Sequence, residues 1–191
     1  MEDRAEWIVK NCNKDSKIID IGCNKGHLFD GWDRSQITSL DIDKYDLPNF
    51  IQADVTKGLP FKDKEFDIAV LGEIIEHTDN PVDVIREAMR ISNKLVITVP
   101  WEERWTSDLM PLISIDERQK LEKFPSREAM AKSKSPEAVA LYDADNYEHL
   151  WHKQFPTPAI MREWLNKADI VDYKMCEIRS GDWVWIGVIC G

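Results

Sequence analysis

The sequence has no long hydrophobic run, and this absence excludes a membrane-spanning helix from the prediction. Such a helix needs about 20 consecutive apolar residues, and no apolar segment of this chain approaches that length. The first ten residues also lack the apolar stretch that marks a signal peptide. We therefore expect a cytoplasmic protein with no membrane partner.

The chain also lacks paired cysteines and an excess of positive charge. Its four cysteines are scattered without a CxxC pair, which argues against a zinc knuckle and predicts reduced thiols. Its formal net charge is −10, whereas proteins that bind mainly a phosphate backbone usually present a basic surface. The charge therefore argues against nucleic acid and favours a small molecule as the partner.

The length limits the number of domains. A chain of 191 residues can bury one core but is short for two ordinary domains. We expect a single domain over residues 1–191, with the choice between a monomer and a homodimer left open.

The first half of the chain alternates short β-rich runs with helical segments, a pattern typical of a parallel sheet covered by helices. Asn80 and Pro81 predict the start of a covering helix, because asparagine caps helices and proline favours their first turn. The connection at residues 44–49 is too short for a crossover helix and is predicted to be a loop. The strands are predicted at Ile18–Gly22, Ile37–Asp43, Phe50–Val55, Phe66–Leu71 and Lys94–Val99.

The strand pattern stops between Trp101 and about Leu150, and we interpret this segment as an insertion over a cleft, at about residues 101–150. Short helices are predicted within it at Ile115–Phe124 and Pro136–Tyr142. A further helix follows Pro158, and the chain then returns to β-rich sequence. Tyr173–Ile178 and Trp183–Cys190 predict a hairpin whose second strand is apolar on both faces and should lie inside the sheet.

A glycine motif follows the first predicted strand. Residues 20–26 read DIGCNKG, of the form DxGxxxG. Glycines let the backbone turn sharply and approach a ligand, and a helix that follows presents free N–H groups to an anionic end. A dinucleotide site needs a middle glycine where this chain has Asn24, which disfavours an NAD-dependent oxidoreductase.

Acidic residues follow the motif at informative positions. Asp41 ends the second strand about twenty residues on, the offset at which a carboxylate binds ribose hydroxyls. The ordered series Asp20, Gly22, Gly26, Asp41, Asp54 and Asp67, within residues 18–99, resembles the class I S-adenosylmethionine-dependent methyltransferases. The resemblance implies a Rossmann-like α/β fold with a mostly parallel seven-stranded sheet, a C-terminal antiparallel hairpin and helices on both faces.

The resemblance also implies S-adenosylmethionine as the cofactor and assigns its contacts. The glycine loop would hold the methionine carboxylate, Asp54 would accept from the adenine amino group, and Ile42 and Val55 would lie beside the base. The predicted cofactor-binding residues are Asp20, Gly22, Cys23, Gly26, Asp41, Ile42, Asp54, Val55 and Leu71.

The segment at residues 72–77, GEIIEH, leaves the fourth strand at the edge where α/β sheets bind ligands. In a helical turn, Glu73 would converge with Glu76 and His77. This ExxEH resembles the metal-binding segment of ubiquinone-biosynthesis O-methyltransferases and of small-RNA 2′-O-methyltransferases. Those families add a later histidine, comparable to His149 or His152 before Phe155 and Thr157 here. The resemblance predicts Mg²⁺, Mn²⁺ or another divalent metal on Glu73, Glu76, His77 and His152.

Other roles for the same segment remain open. His77 would be a general base and Glu73 a second catalytic group in a metal-free enzyme, because a histidine pKa lies near neutrality. The segment would alternatively only pack and shape the cofactor pocket. Aromatic residues of the insertion (Trp101, Trp105, Tyr147 and Trp151) would either stack on an acceptor or form a hydrophobic seam or dimer interface.

Three functions are consistent with these patterns. The first is methyl transfer to an oxygen or nitrogen of a small-molecule acceptor, which the acidic insertion predicts to be cationic or uncharged. The second is metal-assisted O-methylation of a catechol-like or ribose hydroxyl. The third is a non-catalytic partner protein that binds the cofactor without turnover.

Overall fold

The computed structural model of the chain describes residues 3–101, 104, 152–154, 156–181 and 183–191. The predicted insertion therefore lies outside the described residues, except for Trp101 and Arg104 at its start. The helices expected at Ile115–Phe124 and Pro136–Tyr142 fall in that segment, as do Trp105, Tyr147, His149 and Trp151. Phe155 is outside the described residues as well.

A seven-stranded sheet organises the structure. Its strands are β1 Ile18–Ile21, β2 Ile37–Asp41, β3 Phe50–Gln52, β4 Phe66–Gly72, β5 Ser92–Pro100, β6 Tyr173–Ser180 and β7 Trp183–Cys190. They lie in the order β3-β2-β1-β4-β5-β7-β6. The first five strands are parallel, and β7 pairs antiparallel with both β5 and β6. The predicted fold class is confirmed, with β7 inside the sheet as its two apolar faces indicate.

In the part of the chain that the structure describes, three α-helices cover the two faces of this sheet. Helix α1, Arg4–Lys10, begins at a capping box in which the Asp3 and Glu6 side chains each accept from the other residue's backbone N–H. It packs Trp7 and Ile8 on one face. Helices α2, Pro81–Ile91, and α3, Pro158–Lys167, lie on the other face. Each has proline in its first turn, as expected of helix starts.

The apolar side of α2 fixes its position. Its buried residues recur at helical spacing and join the core formed by the strands, whereas its polar side is exposed. Thr157 caps α3 by accepting from the backbone N–H of Ile160. The buried residues are Val84, Ile85, Ala88 and Ile91 in α2, and Met161, Trp164 and Leu165 in α3.

The expected helix after the glycine motif is absent, and this is a correction to the sequence interpretation. The chain forms only short 3₁₀ turns at His27–Phe29 and Arg34–Gln36 before β2 begins. The reason is that residues 27–36 are few and are interrupted by Gly31, which turns the chain at a φ of 80°. The loop predicted at residues 44–49 is present.

The sheet topology places a ligand site. The direction of strand order reverses between the neighbours β1 and β4. From β1 the chain continues to β2 on one side of the sheet, and from β4 it continues to β5 on the other side. Ligands of open α/β sheets bind outside the carboxyl ends of the strands at this reversal. The residues that follow β1, β2 and β4 therefore lie at the edge where a ligand crevice is expected. No helix among the described residues combines the length and the apolar character that crossing a bilayer demands.

Candidate cofactor and acceptor site

The loop after β1 has two positions at which the backbone favours glycine. Gly22 has a φ of 76° and Gly26 a φ of 72°, values that side chains disfavour. A Cβ on Gly22 would lie 2.8 Å from Cδ1 of Ile74. The backbone N–H groups of Gly22 and Cys23 both donate to the carbonyl of Leu40, at 2.8 and 3.0 Å. The motif therefore turns tightly between the end of β2 and the segment after β4.

Asp41 joins the end of β2 to this loop. Its Oδ2 accepts from the backbone N–H of Asn24 at 2.9 Å, and its Oδ1 accepts from the backbone N–H of Asp43 at 3.0 Å. Each carboxylate oxygen can accept more than one hydrogen bond. The structure thus brings together the glycine loop and the carboxylate predicted to bind ribose.

Asp20 lies beneath the loop as a buried carboxyl group. It is 3% exposed, and its Oδ2 has no hydrogen-bond partner. Burial raises its pKa from 3.8 to about 7, against the opposing effect of Arg34 and with a further increase from Asp41. The Cys23 side chain is buried as well, and its burial raises the thiol pKa to about 12. Cys23 is therefore a neutral packing residue at neutral pH.

The residues predicted to surround adenine differ in their exposure. Ile42 is 62% exposed at the end of β2, whereas Val55 is buried. Asp54 accepts from the backbone N–H and the hydroxyl of Thr56, and its hydrogen bond with that hydroxyl is the main cause that lowers its pKa. It thereby caps the 3₁₀ turn at Val55–Lys57. Leu71 is fully buried in the core, and its contact with a cofactor stays a prediction.

Glu73 leaves the end of β4 with an unusual backbone conformation. Its φ is 58°, and its N–H donates to the carbonyl of Thr98 at 3.0 Å. Its Oε2 accepts from the indole Nε1 of Trp185 at 3.0 Å, and its Oε1 is buried without a partner. Burial raises the pKa of Glu73, and the positive charge of Arg4 is the largest effect that lowers it. The conformation directs this carboxylate towards β7.

Glu76, His77 and His152 converge beside this segment. Their potential ligand atoms all lie within 4.8 Å of one another. The two imidazole rings meet edge-on, with centroids 4.7 Å apart and planes at 72°. The carbonyl of Glu76 accepts from the backbone N–H groups of Lys153 and Gln154, at 2.8 and 3.0 Å, which anchors the segment that carries His152.

The predicted set of metal ligands is thus brought together in part. Glu76, His77 and His152 form one cluster, and Glu73 is not a member of it. The physical reason is that residues 75–77 form a 3₁₀ turn while Glu73 precedes it with a positive φ. The structure therefore lacks the single helical turn in which the side chains of Glu73, Glu76 and His77 would converge.

Sequence reasoning missed several polar contacts. Arg34 donates through Nη2 to the carbonyl of Gly26 at 2.5 Å, and its position after the motif belongs to no recognised pattern. Trp185 reaches Glu73 from the last strand, over a separation of 112 residues. The only sequence signal for the Arg34 contact is the short length of residues 27–36, which indicates that the loop is held in an unusual way. Trp101 packs against the core, which favours the seam interpretation for that residue.

Comparison with known proteins finds a family match within this chain. Residues 19–95 match the model of a family described as a methyltransferase domain. The chain is 23% identical over 189 residues to the bifunctional methionine biosynthesis protein MetXA/MetW of Rhodopirellula baltica. That alignment covers 87% of this chain and 27% of the relative, so the chain spans about a quarter of the length of the curated relative it matches.

Solved structures share the fold at low sequence identity. A Thermotoga maritima protein described as a possible histamine N-methyltransferase is 15% identical, with a TM-score of 0.59 over 96% of this chain and 85% of that one. A Burkholderia thailandensis 1,6-didemethyltoxoflavin-N1-methyltransferase, solved with its substrate and S-adenosylhomocysteine, is 12% identical. Its TM-score is 0.55, over 97% of this chain and 75% of that one.

Proposed function

We propose that this chain, a class I S-adenosylmethionine-dependent methyltransferase, methylates an oxygen or nitrogen of a small-molecule acceptor. The observation that carries the proposal is the joining of Asp41 to the glycine loop at 2.9 Å. A nucleoside placed in the crevice would meet a carboxylate at its sugar and the loop at its amino-acid end. Ile42, 62% exposed beside Asp41, offers an apolar surface for the base.

The acceptor side of the crevice supplies groups for proton transfer. Methyl transfer needs an aligned nucleophile, and an oxygen or protonated nitrogen must also lose its proton. His77 and His152 are partly exposed and lie against each other at the carboxyl edge of the sheet. Histidine is the side chain that most often acts as a general base in enzymes. We propose His77 as the base, and the catalytic role predicted for Glu73 stays a prediction.

The chemistry of the neighbours and the charge of the chain support a small acceptor. Both solved structures described above carry names of nitrogen methyltransferases with small substrates. The net charge of −10 disfavours a polyanion and favours a cationic or uncharged acceptor. A cytoplasmic location and the monomeric or homodimeric state stay predictions from the sequence.

Calorimetric titration with S-adenosylhomocysteine tests the proposal. The wild-type chain should bind it, and a methyl transfer assay with radiolabelled cofactor and a panel of small amines and phenols should then detect a product that His77→Gln does not form. Binding without transfer to any of these acceptors would favour the non-catalytic alternative. The absence of binding would contradict the assignment of the crevice.

Metal-assisted O-methylation is a second candidate, favoured by the cluster of Glu76, His77 and His152. A carboxylate and two imidazoles suit borderline ions such as Mn²⁺, Fe²⁺ or Zn²⁺ better than Mg²⁺, which prefers oxygen ligands. These three residues would hold the ion. A divalent ion there would lower the pKa of an acceptor hydroxyl.

A metal titration separates the two candidates. Mn²⁺ and Zn²⁺ should bind the wild-type chain with 1:1 stoichiometry, and His152→Ala should abolish this binding. His27→Ala is the matched control, because the His27 side chain is 75% exposed and pairs with Asp30 away from the cluster. Methyl transfer that is unchanged after exhaustive chelation would leave the metal-free mechanism as the correct one.

A further inference from the structure

The loop that follows β1 lacks the usual source of positive potential for an anionic ligand. In nucleotide-binding folds, a long helix begins at this loop and its N-terminus favours negative charge. Here the chain forms only the three-residue turn at His27–Phe29. A turn of that length contributes almost no aligned backbone dipole. Some other group must offset the charge of a carboxylate bound at the loop.

The acidic residues around the loop make this need greater. The carboxylates of Asp20 and Asp41 lie beneath and beside the loop, and Asp41 raises the pKa of Asp20. A ligand that carries a carboxylate would therefore approach the carboxylate of Asp41 and the buried carboxyl of Asp20, which is only partly ionised near neutral pH. Repulsion between like charges is strong where water is excluded.

Arg34 lies behind this loop. Its Nη2 donates to the carbonyl of Gly26 at 2.5 Å and to Oδ1 of Asp30 at 3.2 Å. Its Nη1 is buried without a hydrogen-bond partner and lies 3.4 Å from the point that a Cβ on Gly26 would occupy. The side chain is only 23% exposed. The guanidinium is thus held against the loop and is mostly shielded from solvent.

We propose that Arg34 is a positioning residue that replaces the missing helix: it fixes the Gly26 carbonyl and supplies the positive charge that the carboxylate of the cofactor requires. This inference rests on the proposed binding of S-adenosylmethionine at the loop. The charge acts through the loop, and no direct contact with the ligand is needed.

The ionisation of Asp20 supports this role. Of the charges around Asp20, Arg34 has the largest effect in lowering its pKa, and Arg4 of α1 has a smaller one. Asp41 raises the pKa of Asp20. The charge of Asp20 in turn raises the pKa of the neighbouring Cys12 and Cys23 thiols. Arg34 is therefore the cation that most strongly balances the negative groups beneath the loop.

A comparison of two ligands separates this role from a merely structural one. S-adenosylhomocysteine carries the amino-acid end, and 5′-deoxy-5′-methylthioadenosine has the same nucleoside without it. Arg34→Met should weaken binding of the first ligand roughly 5- to 30-fold, the range for a partly buried charge acting on a dipole or ion. Binding of the second ligand should change less than about 2-fold.

Two further variants identify which property of Arg34 matters. Arg34→Gln keeps an N–H donor for the Gly26 carbonyl but removes the charge, and should show the same selective loss as Arg34→Met. Arg34→Lys keeps the charge and should retain most of the affinity. Arg86→Met is the matched control, because Arg86 pairs with Asp83 on α2 and should affect neither ligand.

Each outcome decides the proposal. Equal losses for both ligands would show that Arg34 only maintains the shape of the loop, and unchanged affinity in Arg34→Gln would exclude its charge. Circular dichroism melts identify a variant that does not fold, in which case Arg34→Lys and Arg34→Gln carry the comparison. A wild-type chain that binds neither ligand contradicts the cofactor assignment itself. A negative result for Arg34 alone leaves the proposed acceptor chemistry intact.

Discussion

The indole Nε1 of Trp185 donates a hydrogen bond to Oε2 of Glu73 at 3.0 Å and so joins β7 to the segment after β4. The bond holds a carboxylate whose other oxygen is buried without a partner. It also restrains a residue with a φ of 58°, a conformation that is costly for any residue with a side chain. The two residues therefore depend on each other.

Removal of this indole donor should destabilise the fold. Trp185→Phe leaves Oε2 of Glu73 without its donor, and we expect a loss of about 1–3 kcal/mol in the free energy of unfolding. Urea denaturation followed by circular dichroism measures it. Trp32→Phe is a suitable control, since the ring of Trp32 packs edge-on against Phe29. Equal losses in the two variants would show that ring packing, and not the hydrogen bond, is responsible.

Substitution of Asp41 should weaken cofactor binding more than it weakens the fold. Asp41→Ala removes the acceptor for the Asn24 N–H together with the carboxylate proposed to bind ribose. We expect S-adenosylhomocysteine affinity to fall about 10- to 100-fold, as for the loss of one or two hydrogen bonds to a charged group. Calorimetry with Asp43→Ala as the control, an exposed neighbour, checks this. Identical affinities for both variants would remove Asp41 from the site.

The pH dependence of stability should reveal Asp20. Burial, partly offset by Arg34, raises its pKa in the folded chain from 3.8 to about 7. Between about pH 4 and pH 7 the folded state therefore holds a proton that the unfolded state has lost, so this group's contribution to stability falls as pH rises. Asp20→Asn should remove that fall. Urea unfolding at pH 5 and pH 8 should show the stability of the variant relative to wild type increasing from pH 5 to pH 8.

Arg90 should be a stabilising residue with no part in the chemistry. Its guanidinium binds Glu87 and Asp63 and donates to the carbonyls of Leu59 and Phe61. The side chain is 35% exposed, so water screens part of the interaction. Arg90→Met should cost about 1–2 kcal/mol of stability and leave cofactor affinity within about 2-fold. A large loss of affinity would place the segment at Leu59–Asp63 in the binding site.

The sequence allowed the sheet to be predicted because its strands have a strong local signal. Apolar runs such as residues 66–71 are short, β-rich and flanked by turns, and the two apolar faces of Trp183–Cys190 place that strand inside the sheet. Asp41 could be located beside the glycine loop because the carboxyl ends of parallel neighbours meet at one edge. These inferences need only strand order and spacing.

The side-chain contacts of the site were not predictable in the same way. The direction of Glu73 depends on a backbone φ of 58°, which no local sequence signal indicates for a glutamate. Its bond to Trp185 and the place of Arg34 under Gly26 arise from tertiary packing over long or irregular connections. The prediction of a helix after the motif was wrong, because residues 27–36 are few and are interrupted by Gly31.

The position of β7 has a consequence for how the chain folds. Strand β5 pairs with β4 on one side and with β7 on the other, so one edge of β5 stays open until Trp183–Cys190 has been synthesised. An open apolar edge is a template for pairing with another chain, and closing it requires contacts between distant parts of the sequence, which form slowly. During synthesis on the ribosome, the nascent chain should therefore be exposed to aggregation until β7 emerges, and chaperone binding to β5 would protect it in that interval.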